Sequence, residues 1–189
     1  MPPVQKVLGV AVLVSLALAA PVAAKPHDTL QRRMVRIALH EAHMGVREVP
    51  LGSDRGPRVD RYFLAAHSRP GVAWCAAFVS YVARKAGYPV GPHRRGTVSV
   101  ATLTSWGIRR GFWFPAGWRT PRAGDIAIYP SSHTGFVVRT GLGGLLMVDG
   151  NYTNAVSLHA VYEQPSGYLR LPKVRWDGAH GVGVLVAAG

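Results

Sequence analysis

The chain has 189 residues, 48% of them hydrophobic and 16% charged, which supports one domain with a real core and excludes global disorder. Its 22 Lys plus Arg against nine Asp plus Glu give a formal charge of +13, a balance that favours polyanionic partners and says nothing about fold. A single cysteine excludes an intrachain disulfide and a cysteine-rich zinc site.

Lys6 and the free amine form a positive start, followed by an uncharged apolar run over residues 7–24. That run is 18 residues long and contains Gly9, Ser15 and Pro21, against the ~20 predominantly apolar residues of a membrane span. Val22-Ala23-Ala24 presents small residues where a signal peptidase reads. Residues 1–24 are therefore expected to be a secretory signal peptide, cleaved before Lys25. The expected remainder is one domain over 25–173 and a C-terminal tail over 174–189, with no stable membrane insertion after cleavage. An exported protein of this kind is secreted, periplasmic or held at the cell wall. In such an oxidising compartment an unpaired thiol is a liability unless buried or useful, so Cys75 is the first residue to explain.

Asp28 or Thr29 caps a helix that runs through Leu30, Met34, Ile37, Ala38 and Ala42 at three-to-four spacing. Residues 49–59 are rich in turn formers, and a second helix is expected over 59–66. After the Pro70-Gly71 break, residues 73–86 are apolar nearly all round, the mark of a buried central helix. Gly87 and Pro89 end it. Residues 91–121 are rich in Gly, Arg and Trp, with one short helix over 98–106. Beyond Pro121 the period changes to two, and 125–129, 133–139, 145–149, 155–159 and 168–171 read as short strands. Helices packed on an antiparallel sheet of about five short strands make an α+β domain.

Cys75 sits in the first turn of the buried helix, where free N–H groups and the dipole favour thiolate over thiol. A small buried hydrophobe is the competing role for a free cysteine. His133 opens an apolar strand, and Gly135, two residues on, leaves room on the same face for another backbone or a substrate. Asp149 and Asn151 are two apart, so an extended backbone points both the same way, and either one can orient an imidazole. A hairpin turn is the alternative for Asp149-Gly150-Asn151. Nucleophile on a helix N-terminus, then histidine on one strand, then Asp or Asn on the next is the order of papain-like thiol hydrolases.

Ala73-Trp74-Cys75-Ala76-Ala77-Phe78-Val79 resembles the cysteine motif of CHAP domains, the cysteine- and histidine-dependent amidohydrolases/peptidases. Pro121-Arg122-Ala123-Gly124-Asp125-Ile126 resembles the turn and strand before their histidine. Ser132-His133-Thr134-Gly135 resembles the histidine strand, where glycine is more usual than Ser132. Asp149-Gly150-Asn151 falls where the family carries an acidic residue and an asparagine. The resemblance runs from about Gly45 to Leu171 and implies a papain-like fold. It also implies hydrolysis of peptidoglycan amide bonds, as in the related NlpC-type peptidases. By position, Cys75 is the nucleophile, His133 base then acid, and Asp149 and Asn151 orienting residues. The backbone N–H of Cys75 is one oxyanion donor, with Asp60, Arg61 and Tyr62 expected nearby. Trp74, Tyr62, Trp106 and Trp113 are the expected substrate-binding side chains. No metal or cofactor is required.

His40-Glu41-Ala42-His43 has a spacing of three rather than the four of helical zinc proteases. The 18 Arg and four Lys are scattered, with no accompanying nucleic-acid motif. The expected function is an exported peptidoglycan hydrolase, an N-acetylmuramoyl-L-alanine amidase or a stem or cross-bridge endopeptidase, monomeric, whose partners are peptidoglycan and anionic wall polymers. The rivals are a catalytically inactive cationic wall-binding protein of the same fold, and a cationic binder of nucleic acid or membranes.

Overall fold

The computed structural model describes residues 28–141, 143–176 and 183–185, so the expected signal peptide lies outside the described residues. The first helix, α1 (Leu30–His43), starts where Thr29 Oγ1 accepts from the Arg32 N–H at 3.3 Å, one of the two caps expected. Its inward stripe is Leu30, Met34, Ala38 and Glu41. Helix α2 (Val59–Ala65) and helix α3 (Cys75–Lys85) follow, and every residue of α3 from Cys75 to Ala83 is buried. Helix α4 (Val100–Arg109) is capped by Ser99, whose Oγ accepts from Thr102 at 3.2 Å.

The strands are β1 (Trp113–Pro115), β2 (Ile126–Ile128), β3 (Thr134–Gly141), β4 (Gly144–Tyr152), β5 (Ala155–Val161) and β6 (Gly167–Leu169). They form one antiparallel sheet in the order β1-β6-β2-β3-β4-β5. The five expected strands are all present, and β1 adds a sixth at the edge. A separate pair, β7 (Val174–Trp176) with β8 (Gly183–Leu185), lies in the region expected to be a tail.

Alternation along the strands divides the core in two. Ile126, Ile128, Phe136 and Val148 face the helices and pack with Tyr62, Trp74 and Phe78. Ala127, Tyr129, Val137 and Met147 point to the opposite face and form a smaller cluster with Phe114 and Tyr168. Helix α3 crosses β4 closely because position 150 is glycine: a Cβ there would overlap the Phe78 side chain. That approach brings the N-terminus of α3, and Cys75 with it, to the end of the sheet where β3 begins. Asp125 fixes the turn into β2, accepting from Arg170 Nε at 2.9 Å and Nη2 at 2.7 Å and from the Arg122 N–H at 2.8 Å.

Candidate active site

Cys75 is the first residue of α3 and 4% exposed. Its Sγ lies 4.0 Å from the carbonyl oxygen of Ser132. The loop before it is anchored by Trp74, whose Nε1 donates to the buried Glu48 Oε1 at 2.8 Å, while Glu48 Oε2 also accepts from the Asp54 N–H at 3.0 Å. Together these bonds fix the backbone at the helix start.

His133 stands immediately before β3 and remains partly open to solvent. Its Nε2 meets Asp149 Oδ2 at 3.0 Å, and Cys75 lies near enough to the ring to favour its charged form. Burial opposes the imidazolium, but the bonds to Asp149 and then to Cys75 outweigh it, and the His133 pKa is pushed up to about 10. Asp149 is fully buried. Burial resists its ionisation as well, yet hydrogen bonds from His133 and from His159 hold the carboxyl below its ordinary range. Ser132, which turns the chain into His133, has φ +59°, a conformation glycine adopts freely.

Gly135 pairs directly with Asp149 across β3 and β4. A Cβ there would overlap Asp149 Oδ1, so the space expected to admit a backbone or substrate instead receives the carboxylate. Oδ1 itself is buried without a hydrogen-bond partner among the described residues.

Asn151 does not join the histidine. The register between β4 and β5 breaks between Asp149 and Tyr152, Asn151 takes φ +59°, and its Nδ2 donates to Asp54 Oδ1 at 3.4 Å. Extended alternation, which would have aligned Asn151 with Asp149, does not survive a bulge. The structure therefore brings Asp149, and not Asn151, against His133.

The four expected substrate-binding aromatics are also placed elsewhere. Trp74 is fully buried on Glu48. Tyr62 is equally buried and donates to Glu41 Oε2 at 2.7 Å, so it has no surface to offer a ligand. Trp106 is buried and packs edge-on against Phe112, ring centroids 5.5 Å apart. Trp113 is half-buried on β1, separated from β3 by two strands, where it fills the space left by Gly167. Of the other residues expected near the nucleophile, Asp60 accepts from the Gly56 N–H at 3.2 Å and closes its own helix start. In the His40-Glu41-Ala42-His43 segment, Glu41 turns inward to Arg58, Tyr62 and Tyr81.

The stretch over residues 67–151, which contains Cys75, His133 and Asp149, matches the family model of the CHAP domain. The match supports placing this stretch in the CHAP family. CHAP domains are hydrolase domains of a peptidoglycan-related amidase and peptidase family. No curated protein matches the chain. The CHAP match ends before β5 and so excludes His159, a residue that sequence reading also missed. Strand alternation put His159 on a face of β5, but only the register of β5 on β4 shows that this face meets Asp149.

Proposed function

We propose that this protein is an exported peptidoglycan hydrolase that cleaves an amide bond by cysteine nucleophilic catalysis. The bond is either the muramoyl–L-alanine amide or a peptide bond of the stem or cross-bridge. The observation that carries the reading is His133 between two partners, with the buried Asp149 carboxylate on Nε2 at 3.0 Å and Cys75 beside the ring, its Sγ 4.0 Å from the carbonyl oxygen of the adjacent Ser132. The raised His133 pKa supports a resident imidazolium, the partner a thiolate needs.

In this mechanism the Cys75 thiolate attacks the amide carbonyl carbon, and the electron pair of the C=O moves to oxygen. The Cys75 N–H, in a helix turn with no intrahelical acceptor for it, donates to that oxyanion. Imidazolium passes its proton to the leaving nitrogen as the C–N bond breaks, which frees the amine and leaves a thioester. Neutral His133 then takes a proton from water, hydroxide adds to the thioester, and the thiolate departs as the acid forms. Asp149 keeps the Nε2–H of His133 fixed throughout. The surplus of positive charge favours retention near anionic wall polymers.

The deciding experiment incubates purified peptidoglycan with the protein and with Cys75→Ala, and identifies released muropeptides by mass spectrometry. Fragments from the first alone support the hydrolase and name the bond. Equal release by both, or release by neither, rejects it in favour of a silent wall-binding protein.

A further inference from the structure

Asp149 Oδ2 serves two histidines. His133 Nε2 approaches it at 3.0 Å and His159 Nε2 at 3.2 Å. The sheet register accounts for the second contact. Ser157 lies opposite Asp149 and His159 opposite Met147, which makes His159 the diagonal neighbour of Asp149, within reach of a long side chain. The His159 ring is pinned on two further sides. Tyr152 stacks flat on it, centroids 3.6 Å apart at 14°, and its Nδ1 lies 3.3 Å from the Ala160 carbonyl oxygen. Asp149 Oδ1 has no partner among the described residues, so Oδ2 is the oxygen through which the carboxylate is held.

The geometry points to His159 as a positioning residue, which fixes the Asp149 carboxylate so that Oδ2 stays on His133 Nε2. Without the second donor, a carboxylate bonded to one imidazole is free to turn within the space that Gly135 leaves. A small cavity of about 180 Å³ beside the three residues supplies further room for that motion. Tyr129 and Glu163 line it as well. The titratable groups around Asp149 are thus His133 with Cys75 beyond it, His159, Tyr152, Tyr129 and Glu163. Burial raises the Tyr129 pKa, so its ring stays neutral, and Glu163 accepts from Ser131 Oγ at 3.2 Å.

The inference rests on the hydrolase reading for its rate measurement, and a second measurement is independent of activity. Peptidoglycan hydrolysis is followed in wild type, His159→Leu, His159→Gln, Asp149→Asn and the His159→Leu/Asp149→Asn pair, while NMR titrates the His133 ring in each. His159→Leu is expected to lower kcat about tenfold with KM within about twofold, because the orienting carboxylate is lost rather than a substrate contact. His159→Gln keeps an N–H donor and recovers most of the rate. Adding His159→Leu to Asp149→Asn costs nothing more, and in His159→Leu the His133 titration moves to lower pH. Should His159→Leu not fold, His159→Phe keeps a flat ring on Tyr152 and loses the donor alone. An unchanged kcat and His133 titration, or losses that multiply in the double variant, overturn the role. A wild type that leaves peptidoglycan intact sinks the hydrolase reading alone, and the His133 titration still decides on His159.

Discussion

Glu41 and Asp149 are both carboxylates with almost no exposed surface, 1% and 0%, yet their surroundings differ in kind. Both oxygens of Glu41 are occupied. Arg58 Nε donates to Oε2 at 2.8 Å and its Nη2 to Oε1, Tyr62 OH adds a bond at 2.7 Å, and Tyr81 OH lies 3.3 Å from Oε1. Arg58 is permanently charged, and burial, reinforced by Glu41, pushes both tyrosine pKa values up. No member of that cluster changes charge near neutrality, so it serves to clamp α1 onto α2 and α3. One oxygen of Asp149 has no hydrogen-bond partner among the described residues, and the other meets the His133 and His159 imidazoles. A fully satisfied buried carboxylate belongs to architecture, whereas a half-satisfied one facing titratable partners belongs to chemistry.

The comparison is broken most severely at the nucleophile. Cys75→Ala is expected to lower muropeptide release by about 10³-fold or more, while the melting temperature stays near that of wild type. Asp149→Ala should lower kcat by roughly 10²–10³-fold through loss of His133 orientation. Gly135→Ala should resemble it, since the new methyl group displaces the same carboxylate. Glu41→Ala carries the opposite signature. It should cost about 3 kcal/mol of stability by chemical denaturation, since it leaves Arg58, Tyr62 and Tyr81 without their acceptor, with kcat of the folded protein within about twofold. If Glu41→Ala reduced kcat as Asp149→Ala does, the division between the two clusters would be wrong.

Acidity and alkalinity separate the partners within the catalytic cluster. His133 is raised, so its contribution to stability is full below its unfolded pKa, ordinarily ~6.5, and is lost as pH rises through about 10. The basic limb of kcat/KM should fall in that same range. Asp149 is lowered, so its contribution is present above the ordinary carboxylate range and is lost as pH falls through its depressed value. Denaturation midpoints over a pH series, compared with Asp149→Asn, check both directions. The smallest effect expected is a gain. Ser132→Gly should stabilise the fold by about 1 kcal/mol by relieving the left-handed backbone, with activity unchanged to within about twofold.

Helix positions were legible because their causes are local. The apolar spacing of residues 30–42 and the Thr29 cap define α1, and the breaks at Gly71 and Gly87 bound α3. Alternation revealed β2 to β6 for the same reason. Strand β1 escaped notice because Trp113-Phe114-Pro115 shows no alternation, and its partner β6 begins more than fifty residues later. The aromatic residues misled. Trp74, Tyr62 and Trp106 have the chemistry of a binding groove, but side-chain type does not say which way a ring points, and here all three turn into the core.

Cysteine at a helix start, histidine at a strand start and an acidic residue on the following strand were determined by sequence alone, since each depends on near neighbours in the chain. Tertiary structure decided which groups meet. A bulge turned Asn151 away, Gly135 admitted the Asp149 carboxylate, and the register of β5 on β4 delivered His159 to the same oxygen as His133. Those three outcomes depend on the register and the bulge with which neighbouring strands pair, and a one-residue change of register would have reversed each of them.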